Sequence, residues 1–218
     1  MATPDIGGRD NPWLAIPAED YEGHMASPEV GQLQVLSELF GEAYRELWPA
    51  RVAALGCATG NGFEHIDPQI TSQVVGVDIN PRYLEIARTR FAQRLPGLQL
   101  LAEDLTTCEL AAAAFELVSA TLVFEYLQPA PLLSRIADWL APAGTLAAVL
   151  QLPGDACAQV TPTKFRSLEC LAPVMRLVDP EEFLAAAAAA GLAVYRAREV
   201  PLPGGKRFLA VMLKPTPH

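Results

Sequence analysis

Short apolar runs of strand type alternate with helical patterns over most of the 218-residue chain. The strand-like runs cover 52–55, 73–77, 98–102, 116–122, 145–150, 192–200 and 207–213. Helical spacing of apolar residues separates most of these runs, which is typical of a parallel, doubly wound sheet with helices on both faces. The last two runs are joined only by 201–206, so we expect an antiparallel hairpin there. The pattern predicts an α/β fold with a seven-stranded, mostly parallel sheet.

One helical pattern precedes the first strand. Ser27 is a suitable N-cap, Pro28 suits the first helical position, and an apolar stripe continues from there to Trp48. The chain is therefore expected to divide into an N-terminal extension with a helix at 1–50 and a main domain at 51–218.

The loop after the first strand carries the clearest chemical signal. The apolar run stops at Gly56, and Gly60 follows before the next helical pattern, so backbone N–H groups can come close to a ligand. Asp78 ends the second strand about 22 residues after Gly56. Nucleotide-binding α/β folds place a carboxylate there to accept hydrogen bonds from ribose hydroxyls. These features predict a site for an adenosine-containing cofactor.

Charge and composition narrow the class of partner. With 16 Lys and Arg against 25 Asp and Glu, the formal net charge is −9, a surface that repels phosphate backbones and acidic membranes. The four cysteines and three histidines are dispersed, so we expect reduced thiols and no metal site. No signal-peptide pattern is found. We expect a cytoplasmic monomer or homodimer that binds neither nucleic acid nor membrane.

From about Arg51 to Lys214 the chain resembles the class I S-adenosylmethionine-dependent methyltransferases, whose seven strands end in a hairpin. The first loop of that family has the form G-x-G-x-G, and residues 56–60 match it with Ala58 in place of the middle glycine. The family also tends to carry an acidic residue where this chain has Ala54. The resemblance implies a Rossmann-like fold, an N-terminal helical lid and S-adenosylmethionine as the cofactor.

The resemblance also implies roles for individual residues. Asp78 would bind the ribose, Ile79 would pack on the adenine, and Asp104 with the Leu105 amide would recognise its edge. The complete set of implied cofactor contacts is Gly56, Cys57, Ala58, Gly60, Asp78, Ile79, Asp104, Leu105 and Thr121.

The segment Asp-Tyr-Glu-Gly-His-Met at 20–25 resembles the signature of a small bacterial methyltransferase subfamily. One interpretation is that Tyr21, His24 and Met25 line the cofactor or acceptor pocket. The other is that Trp13, Tyr21 and Met25 form a hydrophobic plug over the edge of the sheet, because aromatic and methionine side chains often serve packing. The sequence leaves both open.

Two further places are candidates for acceptor recognition. Glu125 and Tyr126 follow the fourth strand, and Glu125 is expected either to act as a base or to cap a turn. Residues 160–178 form a long connection that includes Phe165, and such connections often recognise substrates, although an ordinary solvated loop is the alternative. The catalytic candidates are thus Glu125 and His24, and the substrate candidates are Tyr21, Met25, Tyr126 and Phe165.

These features predict methyl transfer to an O, N or C atom of a small molecule. No Asn-Pro-Pro-Tyr or Asp-Pro-Pro-Tyr motif follows the fourth strand, which argues against methylation of nucleic-acid amines. An NAD(P)-dependent oxidoreductase is one alternative, but Ala58 and Asn61 depart from its G-x-G-x-x-G pattern. A non-catalytic S-adenosylmethionine-binding partner protein is the other.

Overall fold

A computed structural model describes residues 11–153 and 159–216. Its seven strands are β1 (Arg51–Leu55), β2 (Gln73–Asp78), β3 (Leu98–Ala102), β4 (Phe115–Thr121), β5 (Leu140–Gln151), β6 (Leu192–Pro201) and β7 (Arg207–Pro215). Its α-helices are α1 (Ala18–Ala26), α2 (Gln32–Leu47), α3 (Pro81–Phe91), α4 (Pro129–Trp139) and α5 (Pro180–Ala189). Short 3₁₀ helices include Pro12–Ala15 and Arg166–Leu171.

The strands form one sheet in the order β3-β2-β1-β4-β5-β7-β6. The first five strands are parallel, and β7 lies antiparallel to both β5 and β6. The predicted α/β fold with a seven-stranded, mostly parallel sheet and a C-terminal hairpin is therefore confirmed. The order reverses between β1 and β4, and such a switch point opens a crevice at the carboxyl ends of the strands.

Successive side chains of a strand point to opposite faces of the sheet, so the sheet has a hydrophobic core on each face. In β1, Ala53 and Leu55 pack into one cluster while Val52 and Ala54 pack into the other. Helices α4 and α5 cover the first cluster, and α2 and α3 contribute to the second. Parallel strands covered on both faces are expected to be continuously apolar, which explains the short hydrophobic runs in the sequence.

The predicted start of the first helix was wrong. Ser27 ends α1 instead, because its backbone N–H and its hydroxyl both donate to the carbonyl of His24. Residues 27–31 then turn through Gly31, which has φ 59°, and α2 begins at Gln32. The apolar stripe continues into this turn at Val30, so periodicity alone did not reveal where α2 begins.

No described helix is both long and apolar enough to cross a membrane. Within the described ranges, no group of three His, Cys, Asp or Glu side chains could hold a metal ion.

We expect Gly97→Ala to destabilise the fold. A Cβ atom at Gly97 would lie 2.0 Å from the backbone oxygen of Ser72, and the Gly97 carbonyl accepts a hydrogen bond from Val74 at the start of β2. Because backbone atoms must move, the free energy of unfolding should fall by about 1–3 kcal/mol in urea titrations. The exposed neighbour Gln93→Ala is the control, and equal stabilities would contradict this packing.

Candidate cofactor and acceptor cavity

A cavity of about 180 Å³ opens at the carboxyl ends of the parallel strands, beneath α1 and residues 159–178. Most of the residues predicted for the site line it: Tyr21, His24, Met25, Gly56, Cys57, Ala58, Asp78, Ile79, Asp104, Leu105, Thr121 and Tyr126. The predicted residues Gly60, Glu125 and Phe165 are not among the residues that line it. The topology thus brings together residues that are far apart in the chain.

The loop after β1 is held to the end of β2. The Cys57 amide donates to the Val77 carbonyl, and the Ala58 amide donates to Asp78 Oδ2 at 2.9 Å. Ala58 adopts φ 45°, a left-handed conformation that is strained for a residue with a side chain. A glycine, which the G-x-G-x-G form has at this position, adopts this conformation without strain.

Gly60 has a packing role, and its predicted contact with the cofactor stays a prediction. A Cβ atom there would lie 2.7 Å from the ring of Phe91 and 3.1 Å from the ring of Phe63. The loop and α3 approach each other so closely that position 60 has no room for a side chain. Gly60 therefore allows the loop to pack against α3.

Asp78 in the cavity wall accepts hydrogen bonds from two backbone amides. Besides the bond from Ala58, its Oδ1 accepts from the Asn80 amide at 2.8 Å. Burial raises the pKa of the Asp78 carboxyl to about 6, although the two backbone N–H groups counteract the shift. Each carboxylate oxygen has two lone pairs, so both can accept a further hydrogen bond from a ligand.

The loop after β3 forms the neighbouring wall. Asp104 Oδ1 accepts hydrogen bonds from the amide and the hydroxyl of Thr106, both at 2.8 Å, which gives the loop a fixed turn. Arg135 on α4 donates to the Leu105 carbonyl at 2.6 Å. These contacts hold Asp104 and Leu105 opposite Ile79, where all three line the cavity.

Hydrogen bonds hold the N-terminal segment across the cavity near the end of β2. Asn80 Nδ2 donates to the Trp13 carbonyl at 2.9 Å, and the Tyr83 hydroxyl donates to the Ile16 carbonyl at 3.1 Å. On α1, Glu22 accepts hydrogen bonds from both Arg90 and Thr59. The segment therefore contacts α3 and the loop after β1 together.

Aromatic rings form the underside of this cover. Tyr21 stacks on Tyr83 with ring centroids 5.4 Å apart, and Trp13 meets Tyr126 edge to face at 5.1 Å. Trp13 also contacts Tyr21 edge to face at 6.0 Å. All four rings line the cavity, which agrees with the interpretation that this segment faces the pocket.

The long connection after β5 closes on the other side of α1. Ser167 Oγ donates to Asp20 Oδ2 at 2.6 Å, and His24 Nδ1 lies 3.0 Å from Thr163 Oγ1. Phe165 packs against α1, where a Cβ atom at Gly23 would lie 2.2 Å from its ring. The Phe165 ring is therefore part of the packing between the connection and α1, and its role as a substrate contact stays a prediction.

Glu125 also lies outside the cavity lining, and its predicted role as a base or as the cap of a turn stays a prediction. Its side chain is 1% exposed, and Oε1 accepts from the Gln151 amide at 2.6 Å. Among the described residues, Oε2 is buried with no hydrogen-bond partner. Burial raises the pKa of the Glu125 carboxyl to about 7. This carboxylate supports the end of β5, and Gln151, not Glu125, reaches the cavity.

Sequence reasoning missed Lys206 and Gln151, which both line the cavity. The predicted topology contained a signal for Lys206. Because β7 runs antiparallel to β5, the turn before β7 must lie at the carboxyl edge of the parallel strands, where the site is formed.

We expect Glu125→Gln to change how stability depends on pH. A carboxyl whose pKa rises on folding stabilises the fold below its ordinary pKa, and that stability is lost as the pH rises through about 7. Glutamine does not ionise. The variant should therefore gain stability relative to the unaltered protein between pH 5 and pH 8, by up to roughly 3 kcal/mol.

Urea unfolding at the two pH values measures this gain. The exposed Glu38→Gln is the matched control. A difference between the Glu125 variant and the unaltered protein that is the same at pH 5 and pH 8 would contradict the burial of this carboxylate.

The chain is similar to known methyltransferases in sequence and in fold. A family model described as a methyltransferase domain matches residues 52–144. Over 109 residues the chain is 35% identical to a trans-aconitate 2-methyltransferase of Methylobacterium nodulans. That alignment covers 49% of this chain and 40% of the relative, so the chain spans less than half the length of the curated relative it matches.

Solved structures of low identity show the same fold. The N-methyltransferase NodS of Bradyrhizobium japonicum, in complex with S-adenosyl-L-homocysteine, has a TM-score of 0.65 at 16% identity, covering 91% of this chain and 98% of that chain. An S-adenosylmethionine-dependent methyltransferase of Mesorhizobium loti has a TM-score of 0.64 at 18% identity, covering 88% and 99%. Residues 52–144 are therefore similar to a methyltransferase domain, and the chain has the Rossmann-like fold of these solved methyltransferases.

Proposed function

We propose that the protein transfers the methyl group of S-adenosylmethionine to a small-molecule acceptor bound in the cavity beneath α1. The observation that carries the proposal is the position of Asp78 at the carboxyl end of β2, bonded to the loop after β1 and facing the cavity. The methyltransferase domain match over residues 52–144 supports the reaction class and disfavours an oxidoreductase.

The cofactor would lie across the ends of β1, β2 and β3. Asp78 would accept from the ribose hydroxyls, since both of its oxygens have lone pairs left beside their backbone bonds. Ile79, Asp104 and Leu105 would surround the adenine, and the loop from Gly56 would approach the methionine end. Ala54 lines the cavity without an acidic group, so backbone carbonyls would bind the cofactor amino group there.

The acceptor would occupy the side of the cavity near β5, below α1 and the connection at 159–178. Because α1 and this connection cover that side of the cavity, we favour a compact acceptor over a macromolecule. The curated relative is named for a small acceptor, which supports the same interpretation.

The geometry suits a displacement in which the protein orients two reactants and excludes water. A sulfonium methyl is already activated, so correct alignment in a closed cavity supplies much of the rate enhancement. A base is needed only if the acceptor carries a proton on the reacting atom. His24 is our candidate for that role, because it lines the cavity and because burial and the charge of Lys206 lower its pKa.

We place the protein in the cytoplasm as a monomer or homodimer. The described cysteines are free thiols, with Cys57 and Cys108 buried and Cys170 exposed, which suits a reducing compartment.

Asp78→Ala should abolish tight binding of S-adenosylmethionine. Hydrogen bonds to a charged group contribute about 1.5–3 kcal/mol each, so two lost ribose contacts predict at least a hundredfold weaker binding in calorimetry. Exposed Asp138→Ala is the control for the loss of one carboxylate. Unchanged affinity in a folded Asp78 variant would overturn the placement of the cofactor.

A further inference from the structure

The loop at 103–108 contains the two groups that would recognise the adenine edge, the Asp104 carboxylate and the Leu105 amide. Both residues line the cavity together with Ile79. The loop belongs to no helix or strand, so ladder hydrogen bonds do not fix its backbone. The positions of the two groups therefore depend on contacts within the turn and on side chains packed against it.

One peptide group of this loop is held at both ends. The Leu105 carbonyl accepts a hydrogen bond from Arg135 Nη1 at 2.6 Å. The N–H of the same peptide group belongs to Thr106 and donates to Asp104 Oδ1 at 2.8 Å. Because a peptide group is planar and conjugated, a cation at its carbonyl makes its N–H a stronger donor. Arg135 therefore acts on the Asp104 carboxylate through the peptide group between them.

The turn also sets the direction of the Leu105 amide. The Asp104 carbonyl accepts hydrogen bonds from the amides of Thr107 and Cys108 at 3.0 Å and 2.8 Å. In a trans peptide the N–H points opposite to the carbonyl, so the Leu105 N–H points away from the turn. Among the described residues, neither this N–H nor Asp104 Oδ2 has a hydrogen-bond partner. One donor and one acceptor are thus available to a ligand on adjacent residues.

Arg135 is not among the residues that line the cavity and lies behind the loop, on α4. Its guanidinium carbon is 5.0 Å from the centroid of the Trp139 ring, and Nε is 3.5 Å from Glu109 Oε1. The side chain is only 19% exposed, and among the described residues Nε and Nη2 are buried without a hydrogen-bond partner. Burial of donors without partners costs stability, so stability alone does not explain a guanidinium at this position.

We propose that Arg135 is a positioning residue through which the site selects adenine over a 6-oxopurine. It fixes the peptide group between Leu105 and Thr106 and, through that group, the Asp104 carboxylate. The inference rests on the proposed function and adds the residue that orders the adenine wall. The 6-amino group of adenine is a donor that suits a fixed carboxylate oxygen, whereas a 6-oxo group is an acceptor and leaves that oxygen unpaired.

The unaltered protein is tested first, by calorimetric titration with S-adenosylhomocysteine and with S-inosylhomocysteine. The two ligands share the ribose and the amino acid and differ only in the base. We expect the adenine ligand to bind at least tenfold more tightly. Equal Kd values would overturn this inference and leave the placement of the cofactor standing. If neither ligand binds, the proposed function fails, and the inference fails with it.

Arg135→Met then tests the residue itself. Methionine keeps an apolar stem against Trp139 and removes the charge and the bond to the Leu105 carbonyl. The Kd for S-adenosylhomocysteine should rise about tenfold, the Kd for S-inosylhomocysteine should change less than threefold, and the preference for adenine should therefore fall. Loss of structure alone would weaken both ligands equally. An unchanged ratio of the two Kd values in a folded Arg135→Met variant would overturn the inference.

Arg135→Lys is the conservative variant. It keeps the charge but lacks the planar donor group, so its preference for adenine should lie between those of the methionine variant and the unaltered protein. If Arg135→Met does not fold, the lysine variant decides: its preference should fall at least twofold, and an unchanged preference would overturn the inference. Arg88→Met is the matched control, because Arg88 is an exposed arginine on α3 paired only with Glu85, and both Kd values should stay within twofold.

Discussion

The candidate site depends on one carboxylate that receives hydrogen bonds from two backbone segments. Asp78 binds the amide of Ala58 and the amide of Asn80. Asn80 caps α3 with its own side-chain oxygen and donates from its nitrogen to the Trp13 carbonyl. A chain of hydrogen bonds thus links the loop after β1, the end of β2, the start of α3 and the N-terminal cover. The same group that is proposed to bind the ribose also builds the wall around it.

The parts of the fold that the sequence predicted well are those governed by local rules. Buried parallel strands must be apolar on both faces, so β1, β2 and β4 were visible as short hydrophobic runs. The hairpin followed from the short connection between β6 and β7. The break between α1 and α2 did not follow, because it depends on hydrogen bonds from Ser27 to His24 and not on any change in periodicity.

The side of the cavity at the ends of β1, β2 and β3 was also more predictable than the side near β5. Gly56 and Asp78 lie at the carboxyl ends of strands, and the direction of a strand determines at which edge of the sheet its end lies. Glu125 and Phe165 follow or lie within irregular segments, and there the side-chain direction depends on tertiary contacts. Glu125 packs under the end of β5 and Phe165 packs on α1. Lys206 lay in a turn that the sequence showed only as a connection.

The packing of Phe165 on α1 has a consequence for the evolution of this protein. The ring lies where any side chain at position 23 would begin, so neither residue can change size independently of the other. Homologues that keep this cover should show the two positions varying as a pair, with a larger residue at 23 accompanied by a smaller one at 165. The fit between the cover and the connection after β5 would then leave a trace in sequences, although the two positions are separated by more than half of the chain.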